Sequence, residues 1–98
     1  MTARMPFANQ RTMSLSREEF AASIAKLGPH TNSADGNPLF ALQPGSVEIR
    51  YAPAPSKTFG GLLALPQAIV TLVFDATSPE SEAQFLHRFD ICFQRGGG

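Results

Sequence analysis

The stretch QAIVTLVFD, Gln67 to Asp75, places the strongest constraint on the fold, because both of its alternating sets of residues are largely apolar. Successive side chains of a β-strand point to opposite faces of its sheet. A strand that is apolar on both faces is normally covered on both sides. We therefore predict that helices cover one face of this strand, and that the FGGLLALP segment or a second copy of the chain covers the other.

The length of the chain limits it to one hydrophobic core. With 98 residues, two cores would leave each half below the size that usually folds unaided. We predict a single domain over residues 14–95, preceded by a flexible extension at 1–13 and followed by a flexible glycine tail at 96–98. A translation start at Met13 would also explain the extension.

A helix is predicted to start in the stretch LSREEF. Ser16 is followed three residues later by Glu19, which is the pattern of a capping box, so the helix begins at Arg17. Gly28 supplies the stop. Its predicted buried stripe consists of Phe20, Ile24 and Leu27.

A second helix is predicted after Asp75, where strict alternation gives way to a helical period. Thr77 or Ser78 is the expected N-cap, and Pro79 suits the first turn. Ile91 falls on the side opposite the apolar stripe. That stripe consists of Phe85, Leu86, Phe89, Cys92 and Phe93.

The segments PLFAL and VEIRYA, at residues 38–42 and 47–52, read as strands on either side of a turn. Together with residues 67–75 they make three strands. We therefore predict an α+β fold with a small antiparallel sheet of about three strands and two helices packed on one face, in the order helix, three strands, helix.

The charge balance argues against nucleic acid as a partner. The chain has 8 basic and 8 acidic residues, so no long-range field attracts phosphate. The predicted order of elements resembles the double-stranded-RNA-binding domain, and that resemblance implies lysines at the start of the second helix to hold phosphates. Glu80 and Glu82 occupy this place instead, so we expect no nucleic-acid partner.

The sequence favours the cytoplasm and no membrane contact. A lone cysteine, Cys92, cannot form a disulfide within the chain and is typical of a reducing compartment. The longest apolar run, Gly60 to Phe74, is too short to span a bilayer and contains Pro66.

No spacing in the sequence points to catalysis. Helical phase places Cys92 and His87 on nearly opposite sides of the second helix, so they do not form a nucleophile and base pair there. We expect no enzyme activity, no cofactor and no metal. A small enzyme that combines His30 or His87 with Asp35 or Asp75 stays an alternative, because acids and bases far apart in sequence meet in folds.

The chain ends in RGGG. This ending resembles that of ubiquitin-like modifiers and small sulfur carriers, and the resemblance implies a C-terminal Gly97-Gly98 whose carboxylate is activated by adenylation. The simpler interpretation is a glycine cap after the second helix, with Arg95 near its negative end. The carrier function is kept as an alternative to a binding module.

The leading hypothesis is a small non-enzymatic module for protein binding or assembly, whose partner is another protein or a second copy of the chain. Only 16 % of the residues are charged, against roughly a quarter in an average protein, which leaves apolar surface for a partner. The predicted binding surface consists of Phe59, Leu62, Leu63, Leu65 and Ile91.

Substitution of Leu63 tests this surface. We expect Leu63→Asp to weaken association and to leave folding intact, because a charge opposes burial against a partner. Light scattering and urea unfolding measure the two effects. Unfolding by this single change would mean that the segment belongs to the core.

Overall fold

The structure, a computed structural model, describes residues 7–59 and 63–93, and for residues 56–59 and 63–65 it describes the backbone alone. Two helices and five strands follow one another along this part of the chain. They are β1 (Phe7–Met13), α1 (Arg17–Leu27), β2 (Thr31–Asn32), β3 (Pro38–Ala41), β4 (Ser46–Phe59), β5 (Leu63–Asp75) and α2 (Pro79–Phe93).

The five strands form one antiparallel sheet in the order β1-β5-β4-β3-β2. The predicted α+β fold with two helices and an antiparallel sheet is confirmed. The predicted number of strands and the predicted order of elements are wrong, because residues 7–13 and 31–32 also form strands. β1 escaped sequence analysis because it is an edge strand whose helix-side positions include the polar residues Asn9 and Arg11.

Both helices begin with caps that the sequence predicts. Ser16 Oγ accepts the Glu19 N–H at 3.1 Å, and Glu19 Oε1 accepts the Ser16 N–H at 2.9 Å. Gly28, with φ of 114°, closes α1. At the start of α2, Ser78 Oγ accepts the N–H of Ser81 at 3.1 Å, so Ser78 is the cap of the two that the sequence offers.

The two helices pack against the same face of the sheet and share one core with it. The even-numbered residues of β5 from Ala68 to Phe74 are fully buried beneath them. Phe85 of α2 meets Phe74 edge to face, with ring centroids 6.3 Å apart. The core consists of Leu15, Phe20, Ile24, Leu27, Phe40, Val47, Ile49, Ala68, Val70, Leu72, Phe74, Phe85, Phe89 and Phe93.

The β4–β5 hairpin accommodates a proline because of how its backbone alternates. The starting point is the turn between β3 and β4, where the N–H of Leu42 donates to the carbonyl of Gly45 at 2.8 Å. This bond shows that Gly45 directs its backbone groups toward β3. Since backbone groups in an antiparallel pair point alternately to either side, odd-numbered residues of β4 face β3 and even-numbered residues face β5. Pro53 therefore lacks its donor on the side away from β5, and no bond to β5 is lost.

Two further prolines of this hairpin occupy interrupted positions. The register shifts between Ala54 and Lys57, so that Pro55 lies in a β-bulge. Pro66 directs its backbone toward the β1 side of β5, but the pairing of β1 with β5 ends at Ala68, so the missing N–H of Pro66 breaks no ladder bond. The carbonyl of Pro66 accepts the hydroxyl of Ser14 at 3.1 Å. Both strands therefore run further than the sequence predicts.

The second face of β5, which carries Ile69 and Val73, lies opposite the helices. No described helix or strand covers it, and both residues are half-buried by their neighbours in the sheet. Residues 63–66 of the FGGLLALP segment continue β5 along the hairpin, so this part of the segment does not fold back over the sheet. Cover by a second copy remains a prediction.

Gly45 and Gly36 make a matched pair for testing the β3–β4 turn. Both have a positive φ, of 91° and 84°, but a Cβ at Gly45 would lie 2.4 Å from the carbonyl oxygen of Asp75, whereas one at Gly36 would meet nothing within 4 Å. We expect Gly45→Ala to lower the free energy of unfolding by at least about 3 kcal/mol, and Gly36→Ala by about 1 kcal/mol. Urea unfolding measures both, and equal losses would contradict the tight approach at Gly45.

Candidate functional site

A cleft of about 410 Å³ opens between α1 and the loop that joins β2 to β3. Phe20 and Ile24 of α1 form its apolar wall, and the small Ala21 and Ala25 leave its mouth open. Tyr51 of β4 lines it from the sheet. The volume lies within the range of roughly 300 to 1,000 Å³ that is typical of ligand sites.

Arg17 gives the cleft its permanent charge. Its guanidinium carbon lies 4.6 Å from the centroid of the Tyr51 ring, a cation–π contact that holds the group in place. The hydroxyl of Tyr51 donates to the carbonyl of Leu15 at 3.1 Å. Among the described residues that line the cleft there is no aspartate or glutamate, so an anionic group is the complementary ligand.

His30 closes the cleft beyond the end of α1. Its Nδ1 lies 3.1 Å from the carbonyl oxygen of Gly28, and its ring centroid lies 5.0 Å from that of Phe40. These two contacts orient the ring, so His30 presents a polar group at this end of the cleft.

A free backbone edge of β4 lies beside Tyr51. β3 pairs with β4 only over residues 46–48, and no other strand in the described ranges pairs with this side. Tyr51 is odd-numbered, so its N–H and C=O point toward this open side. Pro53 ends the usable edge, because it has no N–H to donate. This side of Tyr51 is therefore open to main-chain hydrogen bonds from a short extended segment.

Glu48 holds the far wall of the cleft in position. Its Oε2 accepts the Ser33 hydroxyl at 2.7 Å and the Asn37 amide at 3.0 Å, while its Oε1 accepts the Arg50 guanidinium at 3.0 Å. Asn37 itself lines the cleft. The hydrogen bonds from Ser33 and Asn37, with a smaller contribution from Arg50, lower the pKa of Glu48 below its ordinary value of 4.5.

The predicted binding surface is divided between two parts of the molecule. Ile91 is 58 % exposed on α2, in agreement with its helical phase. Phe59 and Leu63 are paired along the backbone of the hairpin, and Leu65 belongs to the same ladder. Leu62 lies outside the described residues, as do the side chains of the other three hairpin residues. The surface therefore remains a prediction.

The residues considered for chemistry are dispersed. His87 is exposed on α2, whereas Cys92 packs against the core from the same helix. Neither Asp35 nor Asp75 lines the cleft with His30. In residues 7–59 and 63–93, no group of three His, Cys, Asp or Glu side chains is placed to hold a metal ion. The tail glycines lie outside these ranges, and the carrier function remains a prediction.

The sequence does not identify Arg17 and Tyr51 as site residues, although it contains one signal at Arg17. A cation in the first turn of a helix opposes the helix dipole, so Arg17 is in an unfavourable place for stability alone. Tyr51 showed only the alternation of a strand residue. Their juxtaposition depends on how α1 crosses β4.

No helix in the described part of the chain has the length and apolar character needed to cross a membrane. Comparison of the chain with family models, curated proteins and solved structures finds no significant match.

The network around Glu48 predicts a pH dependence. Because the folded pKa lies below the unfolded one, the unfolded state binds more protons in acid, so the stabilisation is complete above the unfolded pKa and is lost as the pH falls through the folded pKa. We expect the urea unfolding free energy to fall less steeply between about pH 5 and pH 3 in Glu48→Gln than in the wild type.

Glu18→Gln is the control, because Glu18 is an exposed carboxylate on α1 outside this network. It should keep the wild-type slope. Equal slopes for Glu48→Gln and the wild type would mean that the loop is not held by the ionised carboxylate.

Proposed function

We propose that the protein is a non-enzymatic binding module whose cleft takes a short extended peptide segment that carries a carboxylate. The observation that supports this most is the combination of a cationic, partly apolar cleft with a free strand edge at Tyr51. A backbone edge binds any extended chain through main-chain hydrogen bonds, and the adjoining pocket selects the side chain.

The carboxylate is placed at Arg17 by charge complementarity. The guanidinium already lies over the Tyr51 ring, so little conformational entropy is lost when it binds. A carboxylate at this position also offsets the unfavourable interaction of Arg17 with the dipole of α1. His30 adds a second polar contact at the other end of the cleft.

The apolar part of the peptide goes against α1. Phe20 and Ile24 are part of the core, and each contributes an edge to the wall of the cleft. Ala21 and Ala25 form a shallow rim beside them, which leaves room for a branched aliphatic side chain. The ligand is therefore an extended segment with an aliphatic and an acidic residue two positions apart, because alternate side chains of a strand share a face.

The test uses two blocked pentapeptides, Thr-Val-Thr-Asp-Thr and Thr-Val-Thr-Lys-Thr, titrated into ¹⁵N-labelled protein; each presents its valine and its charged residue on the same face. The acidic peptide should shift the amide signals of Tyr51, Ala21 and Ala25, and the basic peptide should not. We expect Arg17→Glu to weaken binding of the acidic peptide by about tenfold or more, since a hydrogen bond to a charged group contributes roughly 1.5 to 3 kcal/mol.

Lys26→Glu is the matched control, because it makes the same charge change on the same helix at an exposed residue outside the cleft. It should leave the affinity within about twofold. Equal binding of both peptides, or equal losses in the two variants, would mean that the attraction is not specific to the cleft.

A further inference from the structure

The edges of the sheet differ in how they are protected against pairing with another chain. The free edge of β4 is interrupted by Pro53, and β2 at one end of the sheet has only two residues. Prolines and very short edge strands both limit edge-to-edge association. β1 at the other end runs from Phe7 to Met13 without a proline. No strand in the described part of the chain pairs with its outer side.

The backbone groups on this outer side are set by the alternation in β5. Even-numbered residues of β4 pair through hydrogen bonds with odd-numbered residues of β5, so the even-numbered residues of β5 face β1. In the register of β1 and β5, these meet the odd-numbered residues of β1. Ala8, Gln10 and Thr12 therefore each direct one N–H and one C=O outward.

We propose that β1 pairs with β1 of a second copy of this chain, antiparallel across a two-fold axis at Gln10. The two five-stranded sheets then form one continuous sheet. In this register Ala8 lies opposite Thr12 of the second copy, and Gln10 lies opposite itself. All three outward-facing residues fall at hydrogen-bonded positions, so every outward donor and acceptor between them finds a partner.

The side chains on the helix side match in the same register. Arg11 lies opposite Asn9 of the second copy, so no two like charges are directly opposed. Within each chain, Arg11 already forms an ion pair with Asp90 of α2, which makes the strand locally neutral. An isologous interface requires such self-complementarity, because the two-fold axis repeats every contact that lies off the axis.

The ends of the paired strands add apolar contact. Phe7 stacks on Phe74, with ring centroids 5.8 Å apart, but is 38 % exposed. In the proposed register it lies opposite Met13 of the second copy, whose flexible thioether suits contact with an aromatic ring. The same contact occurs twice, once at each end of the two-fold pair.

Pairing through β1 does not involve the peptide cleft. The cleft lies at β4 and β3, whereas β1 lies beyond β5 at the other end of the sheet. Failure of either proposal leaves the other standing.

The first test compares Gln10→Pro with Gln10→Ala in the full chain, by sedimentation equilibrium over a range of concentrations. The N–H of Gln10 faces away from β5, so proline removes a donor of the dimer and none of the bonds to β5. We expect dimerisation of the wild type, little change in Gln10→Ala, and at least about tenfold weaker dimerisation in Gln10→Pro. Amide NMR spectra check that each variant is folded.

The second test uses the fact that Gln10 lies opposite itself. Gln10→Lys and Gln10→Glu each place like charges across the axis, and each alone should dimerise several-fold more weakly than the wild type. An equimolar mixture of the two should recover dimers, because opposite charges then face each other. A monomeric wild type at millimolar concentration, or a mixture no more dimeric than the separate variants, would overturn the proposal.

Discussion

The burial of one side of β5 is the constraint on which the rest of the structure depends. Its even-numbered side chains between Ala68 and Phe74 are fully removed from water beneath both helices. A shift of the strand's pairing register by one residue would bury the residues of the opposite face in their place. Because side chains and backbone groups alternate together, this choice also decides which N–H and C=O groups face each neighbouring strand.

That alternation explains how the hairpin contains its prolines and how the edges acquire their properties. Pro53 keeps its missing donor on the free side of β4, so the ladder to β5 stays intact and the edge beyond Tyr51 is shortened. β1 has no such interruption. The same physical rule therefore produces a limited edge beside the cleft and an unrestricted edge at the other end of the sheet.

The cleft follows from the difference in length between β3 and β4. β3 ends after four residues, and the loop before it bends back to hydrogen bond with Glu48 through Ser33 and Asn37. α1 crosses above the part of β4 that β3 leaves uncovered. The cleft, the guanidinium of Arg17 and the unpaired edge of β4 therefore all lie beside Tyr51, although each has a separate local cause.

The sequence by itself determined the elements whose signals are local. The capping box at Ser16 and the stop at Gly28 fixed α1, and the aromatic stripe fixed α2, because hydrogen bonds and periodicity within a few residues specify them. The two apolar faces of residues 67–75 identified β5. The α+β class followed from these elements.

Only the tertiary structure decided what depends on distant neighbours. β1 has few apolar residues of its own and is a strand because β5 offers it an edge. Arg17 and Tyr51 became one site because α1 lies over β4, and a single sequence carries no signal for such a crossing. Strand pairing and helix placement are long-range choices made by burial of the whole core, which local patterns do not encode.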